Sequence, residues 1–164
     1  MTMTTAYIET SIPSFYFTGR TDPFSIARQK WTQQWWGKFT DDFQLYSSLA
    51  VTVELERGTL ENLKWQRISL IEELPMLDIS TDVREIARIY VERLLMPRDA
   101  DGDALHLAIA SFYGLDVLLT WNCNHLANPN KFGHIETINN ELGLKVPLLT
   151  TPLNYLSEDD SDGN

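Results

Sequence analysis

The chain has one cysteine, Cys123, so no disulfide can form within it, and a reducing, cytoplasmic compartment is the expectation. No apolar run approaches the roughly 18 residues that a membrane-crossing helix requires, so no membrane partner is expected. The stretch MTMTTAYIETS lacks the basic segment followed by an apolar one that marks a secretory signal. Basic residues are few: 13 Lys and Arg stand against 23 Asp and Glu, for a net charge of −10. That balance excludes a generic nucleic-acid-coating protein, which needs a basic footprint. It is compatible with an enzyme that holds phosphates through metal ions, because such a site is built of carboxylates. There is no P-loop and no glycine-rich dinucleotide fingerprint. Asp99, Asp101 and Asp103 alternate as at the start of a calcium loop, but Ala104 and Ala110 stand where Gly and Glu are needed, which excludes an EF-hand. Cys123, His125 and His134 lack the paired spacing of a structural zinc site.

What is present is an ordinary globular composition, with 43% hydrophobic and 22% charged residues over a length of 164. A single domain over residues 1–156 is expected, followed by an acidic, solvated, disordered tail at 157–164. The most telling stretch is GDALHLAIASFYGLDVLLTWN, from Gly102 to Asn122. It predicts a helix over 104–112 that is apolar on most sides and therefore buried. A turn at Tyr113–Gly114 leads to a strand over 116–119, apolar enough to be covered on both faces as in a parallel sheet.

Around this unit strands and helices alternate. Strands are predicted at 6–8, 43–46, 76–79 and 146–149, the last at an edge because Pro147 interrupts it. Thr10 or Ser11 is expected to cap a short helix containing Pro13, and Ser47 or Ser48 a helix over 49–57 that closes at Gly58. A further helix begins at Thr59 and ends before Pro75. Ser80 or Thr81 caps a helix with the apolar stripe Val83, Ile86, Ala87, Tyr90, Val91 and Leu94, and another runs from Phe132 to Gly143. In the helix over 24–38, Phe24, Ala27, Trp31 and Trp35 form a stripe, widened by Trp36, suited to packing on the sheet or in a dimer interface. The whole predicts an α/β fold with about five strands, mainly parallel, between layers of helices.

Three acids take comparable places in this alternation. Glu9 ends the first strand, Glu54 lies on the helix after the second, and Asp103 opens the central helix. Asn122 follows the fourth strand. Open α/β sheets build their sites at the carboxyl ends of strands, where these positions can meet. Bare carboxylates at close quarters raise one another's pKa, and a hard divalent cation relieves this. Mg²⁺ or Mn²⁺ on oxygen ligands suits phosphodiester hydrolysis. His106, three residues after Asp103, shares its helix face and is suited either to orienting Asp103 or touching a phosphate, or to a satisfied place in the core. Arg98 and the group Arg57, Lys64 and Arg67 are suited to RNA phosphates or to solvated surface.

YIETSIPSFY, ELERG, GDALHLAIA and LLTWNCNH resemble, in order and spacing, the four signature regions of PIN-domain ribonucleases, a family that includes the VapC-like toxins of type II toxin–antitoxin pairs. The resemblance implies a PIN-like three-layer α/β/α sandwich and an endoribonuclease that uses Mg²⁺ or Mn²⁺. It places the first three acids on Glu9, Glu54 and Asp103 as metal ligands and the fourth catalytic position on Asn122. Ser11 matches the hydroxyl residue that supports the first acid, and Thr120 the hydroxyl before the fourth position. A cognate antitoxin and a homodimer are implied as protein partners, and RNA as substrate. Two positions depart from the family's pattern: Glu9 is usually Asp, and Asn122 is often Asp. They lead to an expectation of weak binding, or none, of a second ion. The alternative they leave open is a catalytically weak or inactive PIN-like module that acts through protein-partner binding.

Overall fold

The computed structural model describes residues 3–93, 95–97 and 102–157. The acidic tail beyond Ser157, together with Leu94, Arg98, Asp99 and Asp101, lies outside the described residues. Five parallel strands form one sheet in the order β3-β2-β1-β4-β5: β1 is Thr4–Ile8, β2 Phe43–Ser48, β3 Met76–Leu77, β4 Val117–Leu119 and β5 Leu148–Thr150. The α-helices among the described residues are α1 Ser11–Tyr16, α2 Pro23–Phe39, α3 Leu49–Glu56, α4 Glu61–Glu72, α5 Thr81–Glu92, α6 Asp103–Phe112 and α7 Pro129–Leu142. The expected α/β architecture with a parallel sheet is borne out, and Pro147 does stand just before an edge strand.

The order of strands explains where a site can form. From β1 the chain moves outward to β2 and β3, then returns to pair β4 on the other side of β1. Right-handed crossovers therefore place α1 to α4 on one face and α5 to α7 on the other. The direction of winding reverses between β1 and β4, which leaves a crevice above their carboxyl ends. The register sets Ile8 opposite Leu119, and the Glu9 amide donates to the Leu119 carbonyl at 3.2 Å. Glu9 and Thr120 thus leave the sheet side by side.

The core follows from the apolar pattern. Ala6, Tyr7 and Ile8 of β1 and all of β4 are buried, as central strands covered on both faces must be. In α6 every residue from His106 to Ser111 is buried, so the helix is packed nearly all round, as its sequence predicts. In α5 the expected Val83, Ile86 and Tyr90 are buried. Ser80 caps α5 by accepting from the Val83 amide, and Gly143 closes α7 in the left-handed region with φ of 70°.

Three local expectations are corrected. Thr10 and Ser48 stand at the N-cap positions of α1 and α3 but make no capping hydrogen bond with their side chains. The hydroxyls of Ser11 and Ser48 are engaged in long-range contacts described below. Gly58 is not a left-handed cap: α3 ends at Arg57 in right-handed geometry, and Gly58 only continues the turn with its amide on the Leu55 carbonyl. The stripe predicted for α2 holds at Trp31, Trp35 and Trp36, which face the core, but not at Phe24. The buried residues of α2 are Ser25, Thr32 and Trp35, while Phe24 is 80% exposed. Trp35 packs on Phe43, Phe39 and Tyr155, and Trp31 stacks on Trp121, whose Nε1 donates to the Thr32 hydroxyl at 2.8 Å. That bond gives the buried indole its partner.

Candidate functional site

The carboxyl edge between β1 and β4 carries a dense polar cluster. Glu9 is 5% exposed, and its Oε2 accepts three hydrogen bonds: from the Ser11 amide at 2.9 Å, from the Ser11 hydroxyl, and from the Thr120 hydroxyl at 2.8 Å. Those hydroxyls in turn accept from the backbone. The Trp121 amide donates to Ser11 Oγ at 2.7 Å, and the Asn122 amide to Thr120 Oγ1 at 2.9 Å. The loop after β4 is thereby tied to the acid after β1. Three donors on one oxygen hold that carboxylate in one orientation, the arrangement a ligand group needs. Burial pushes the Glu9 carboxyl above its ordinary pKa, against the pull of the His106 charge and of the Ser11 and Thr120 bonds.

His106 is the hub of the second half. Its ring is wholly buried, with Nε2 2.6 Å from Glu54 Oε1 and Nδ1 2.6 Å from the Tyr7 hydroxyl. Tyr7 reaches on to Ser48 Oγ at 2.8 Å. The chain Ser48–Tyr7–His106–Glu54 thus links the ends of β2 and β1 to α6 and α3. An ionised carboxylate only accepts, so Nε2 carries the proton in this bond. Burial by itself would lower the His106 pKa, but the bond to Glu54 and the charges of Glu9, Glu54 and Asp103 outweigh it and raise the net value. The three acids thus favour the protonated form of the imidazole over what burial alone would allow. Of the two functional roles offered for it by the sequence, orienting Asp103 is replaced by a direct bond to Glu54.

Gly102 makes that contact sterically feasible. Its φ is 117°, in the region that favours glycine, and a Cβ there would stand 2.2 Å from Glu54 Oε1 and 3.2 Å from His106 Nε2. Asp103 follows at the start of α6, where Gly102 and not Asp103 is the N-cap residue. Its Oδ1 accepts from Asn122 Nδ2 at 3.0 Å, and Asn122 Oδ1 accepts from the His125 amide at 3.0 Å. Burial raises the Asp103 pKa, Glu54 adds a like-charge push, and Asn122, His106 and His125 oppose both.

The structure thus brings Glu9, Glu54, Asp103, Asn122, Ser11, His106 and Thr120 to one edge of the sheet. It arranges them as two linked groups. Ligating atoms of Glu9, Glu54 and His106 lie within 4.8 Å of one another, and this is the one such group of acids, His and Cys among the described residues. Asp103, expected beside Glu9 and Glu54, lies outside that triad and is bonded to Asn122. The donors suit a hard divalent cation: carboxylate oxygens predominate, that of Glu9 is firmly held, and Gly102 leaves room for that of Glu54. Tyr7 was not singled out by the sequence, and Ser48 only as a helix cap. The available signal was a tyrosine inside a strand otherwise apolar on both faces, since a buried phenol needs a partner for its hydroxyl. A cavity of about 320 Å³ opens beside Glu54 and Gly102 and is lined also by Arg57, one of the cations expected near phosphate. Lys64 is instead paired with Glu61 at 3.0 Å.

No protein-family profile matches the sequence, and no curated protein does. Among solved structures, a chain from the crystal structure of VapBC2 from Rickettsia felis bound to a DNA fragment from their promoter superposes with a TM-score of 0.56 and 14% identity, covering 90% of this chain and 98% of that one. At that identity the likeness is one of fold. The expected PIN-like α/β/α sandwich is borne out by it and by the parallel sheet. Among the described residues no helix is long and apolar enough to cross a membrane.

Proposed function

We propose that this chain is a metal-dependent endoribonuclease of the toxin–antitoxin kind, hydrolysing RNA phosphodiester bonds at the carboxyl edge between β1 and β4. The observation that carries this is the meeting of Glu9 and Glu54 at the buried His106, with Asp103 and Asn122 paired on the same edge, at the switch point of a PIN-like sheet. Mg²⁺ or Mn²⁺, when bound, would supply an activated water and a counter-charge for the leaving oxygen. Glu9 would hold the ion, its carboxylate fixed by Ser11 and Thr120. Glu54 would hold it from α3, aimed by His106. Asp103 would complete the ligand set from α6, with Asn122 orienting its carboxylate or a water. Glu9 is buried, which keeps bulk water from competing for its carboxylate, while Glu54 and Asp103 are only partly buried and open the site to solvent and substrate. The neighbouring fold is seen in VapBC2 bound to a DNA fragment from their promoter. On that likeness a cognate antitoxin is the proposed partner, and a homodimer the proposed assembly. Exposed apolar side chains, Phe24 and Trp65 among them, offer surface for such contacts.

The test is RNA cleavage by the full chain with Mg²⁺ or Mn²⁺, beside Asp103→Asn and Glu9→Gln. Cleavage is expected to fall to background in both variants and in chelator. Activity that survives either substitution and the chelator overturns the mechanism.

Asn122, neutral where the family often has an acid, favours a second possibility: a PIN-like module that is catalytically silent and works by binding a protein partner. It predicts no cleavage and no thermal shift with Mn²⁺. A rise of several degrees on adding Mn²⁺ counts against it.

A further inference from the structure

Two arginines share a cavity that the carboxylate cluster does not use. A space of about 500 Å³ lies between α1, the loop that follows it and the α3–α4 turn, lined by Ser14, Thr18, Arg20, Thr59 and Arg67. Among the described residues its lining holds two guanidinium groups, three hydroxyls and no acid, in a chain whose net charge is −10. Arg67 is anchored there: its Nε donates to the Phe17 carbonyl at 2.9 Å, which leaves the terminal nitrogens of the fork to point elsewhere. Burial first, and then the neighbouring Arg20 charge, hold the Arg67 guanidinium below its ordinary pKa. Asp22 lies within electrostatic reach of Arg20, but its carboxylate accepts from the Ser25 amide at 3.0 Å as the N-cap of α2.

Two guanidinium groups over one cavity lined without an acid favour an anion between them. Guanidinium forks match phosphate oxygens in geometry as well as in charge. The cavity is also continuous in chain with the proposed catalytic edge. Helix α1 begins at Ser11, which holds Glu9, and Gly58 in the cavity wall follows α3, which carries Glu54. A polynucleotide lying across α1 would meet both.

We propose that Arg20 and Arg67 form a seat for an RNA backbone phosphate other than the one cleaved. The seat would position the strand, while the carboxylate edge acts on a neighbouring linkage. This rests on the ribonuclease reading above. The seat is independent of the metal ligands, so its contribution to affinity should persist when no divalent ion is present.

The experiment measures binding of a short fluorescein-labelled single-stranded RNA to the full chain by anisotropy in chelator, over a series of salt concentrations. Wild type is compared with Arg20→Gln, Arg67→Gln and the exposed control Lys30→Gln. Each arginine variant is expected to lose about tenfold in affinity at low salt, and the slope of log K against log salt should flatten by about 0.7 per lost contact. Lys30→Gln should bind as wild type does. Arg20→Gln decides the matter if Arg67→Gln is poorly folded, because Arg20 is exposed and, among the described residues, its guanidinium holds no backbone carbonyl in place. Equal affinity and slope in wild type and Arg20→Gln overturn the proposal, even where wild type cuts RNA with Mn²⁺ and the nuclease reading stands. A wild type that neither binds nor cuts RNA overturns both. Arg20-dependent binding of polyglutamate without binding of RNA also overturns it, and assigns the seat to an acidic protein segment.

Discussion

The imidazole of His106 lies 2.6 Å from the carboxylate of Glu54, across 52 positions of sequence, and its other nitrogen is the same distance from the Tyr7 hydroxyl. Replacing His106 by Gln is expected to leave the Tyr7 hydroxyl or the Glu54 carboxylate short of a buried partner. The expected cost is about 2–3 kcal/mol in urea unfolding. Tyr7→Phe keeps the ring packing and should cost less, about 1 kcal/mol. If His106 aims Glu54, both variants should also weaken Mn²⁺ stabilisation, in that same order, by thermal melt.

Gly102→Ala tests the close approach directly. The new Cβ would fall 2.2 Å from Glu54 Oε1, and the backbone would have to hold φ of 117° with a side chain present. Strain of this kind costs about 1–3 kcal/mol, and Glu54 must also leave His106. A lowered melting temperature together with loss of the Mn²⁺ response is the expected result. An alanine variant indistinguishable from wild type would show that Glu54 need not sit where it does.

Asn122→Asp introduces the charge that the PIN-domain ribonucleases this sequence resembles often have at this position. Without metal, the amide that now donates to Asp103 at 3.0 Å becomes a second carboxylate facing the first. The metal-free protein is expected to lose about 1–3 kcal/mol in chemical unfolding. With Mn²⁺ the order should invert, because the added charge strengthens ion binding. Calorimetric titration should show tighter binding, or an additional ion, in the variant.

Asp116 supplies a pH prediction remote from the site. Its carboxylate is bonded to Lys145, accepts from the Thr5 amide at 2.9 Å and from the Thr5 hydroxyl, and is held below its ordinary pKa with the Lys145 bond as the first cause. A depressed carboxylate stabilises the fold above its unfolded pKa, about 3.9, and the contribution is lost as pH falls through the lower folded value. Asp116→Asn should therefore destabilise at neutral pH, by about 1 kcal/mol after allowing for solvent screening. The gap from wild type should close below about pH 4 in urea titrations.

Much of the architecture was legible because it rests on local periodicity. The apolar run of α6 and the β-prone residues before Thr120 could be buried in few other ways, and the stripe Val83, Ile86 and Tyr90 marked the inner face of α5. Helix α2 was legible at Trp31, Trp35 and Trp36 but not at its start: Phe24 looked like part of the apolar stripe and is exposed, while Thr32 is buried as the acceptor of a hydrogen bond from Trp121, a partner so distant in sequence that it leaves no local trace.

The sequence by itself determined the alternation of strands and helices, the burial of the central unit, and which acids stand at strand ends. Tertiary structure alone decided what the polar side chains of the site do. Ser11 and Ser48 have the local appearance of helix caps, yet a hydroxyl has few bonds to give. Once β1 pairs with β2 and β4, Glu9 and Tyr7 come within reach and take them. The same pairing, with Gly102 admitting Glu54, places His106 among three acids. That relation depends on distances between elements, and spacing along the chain does not contain it.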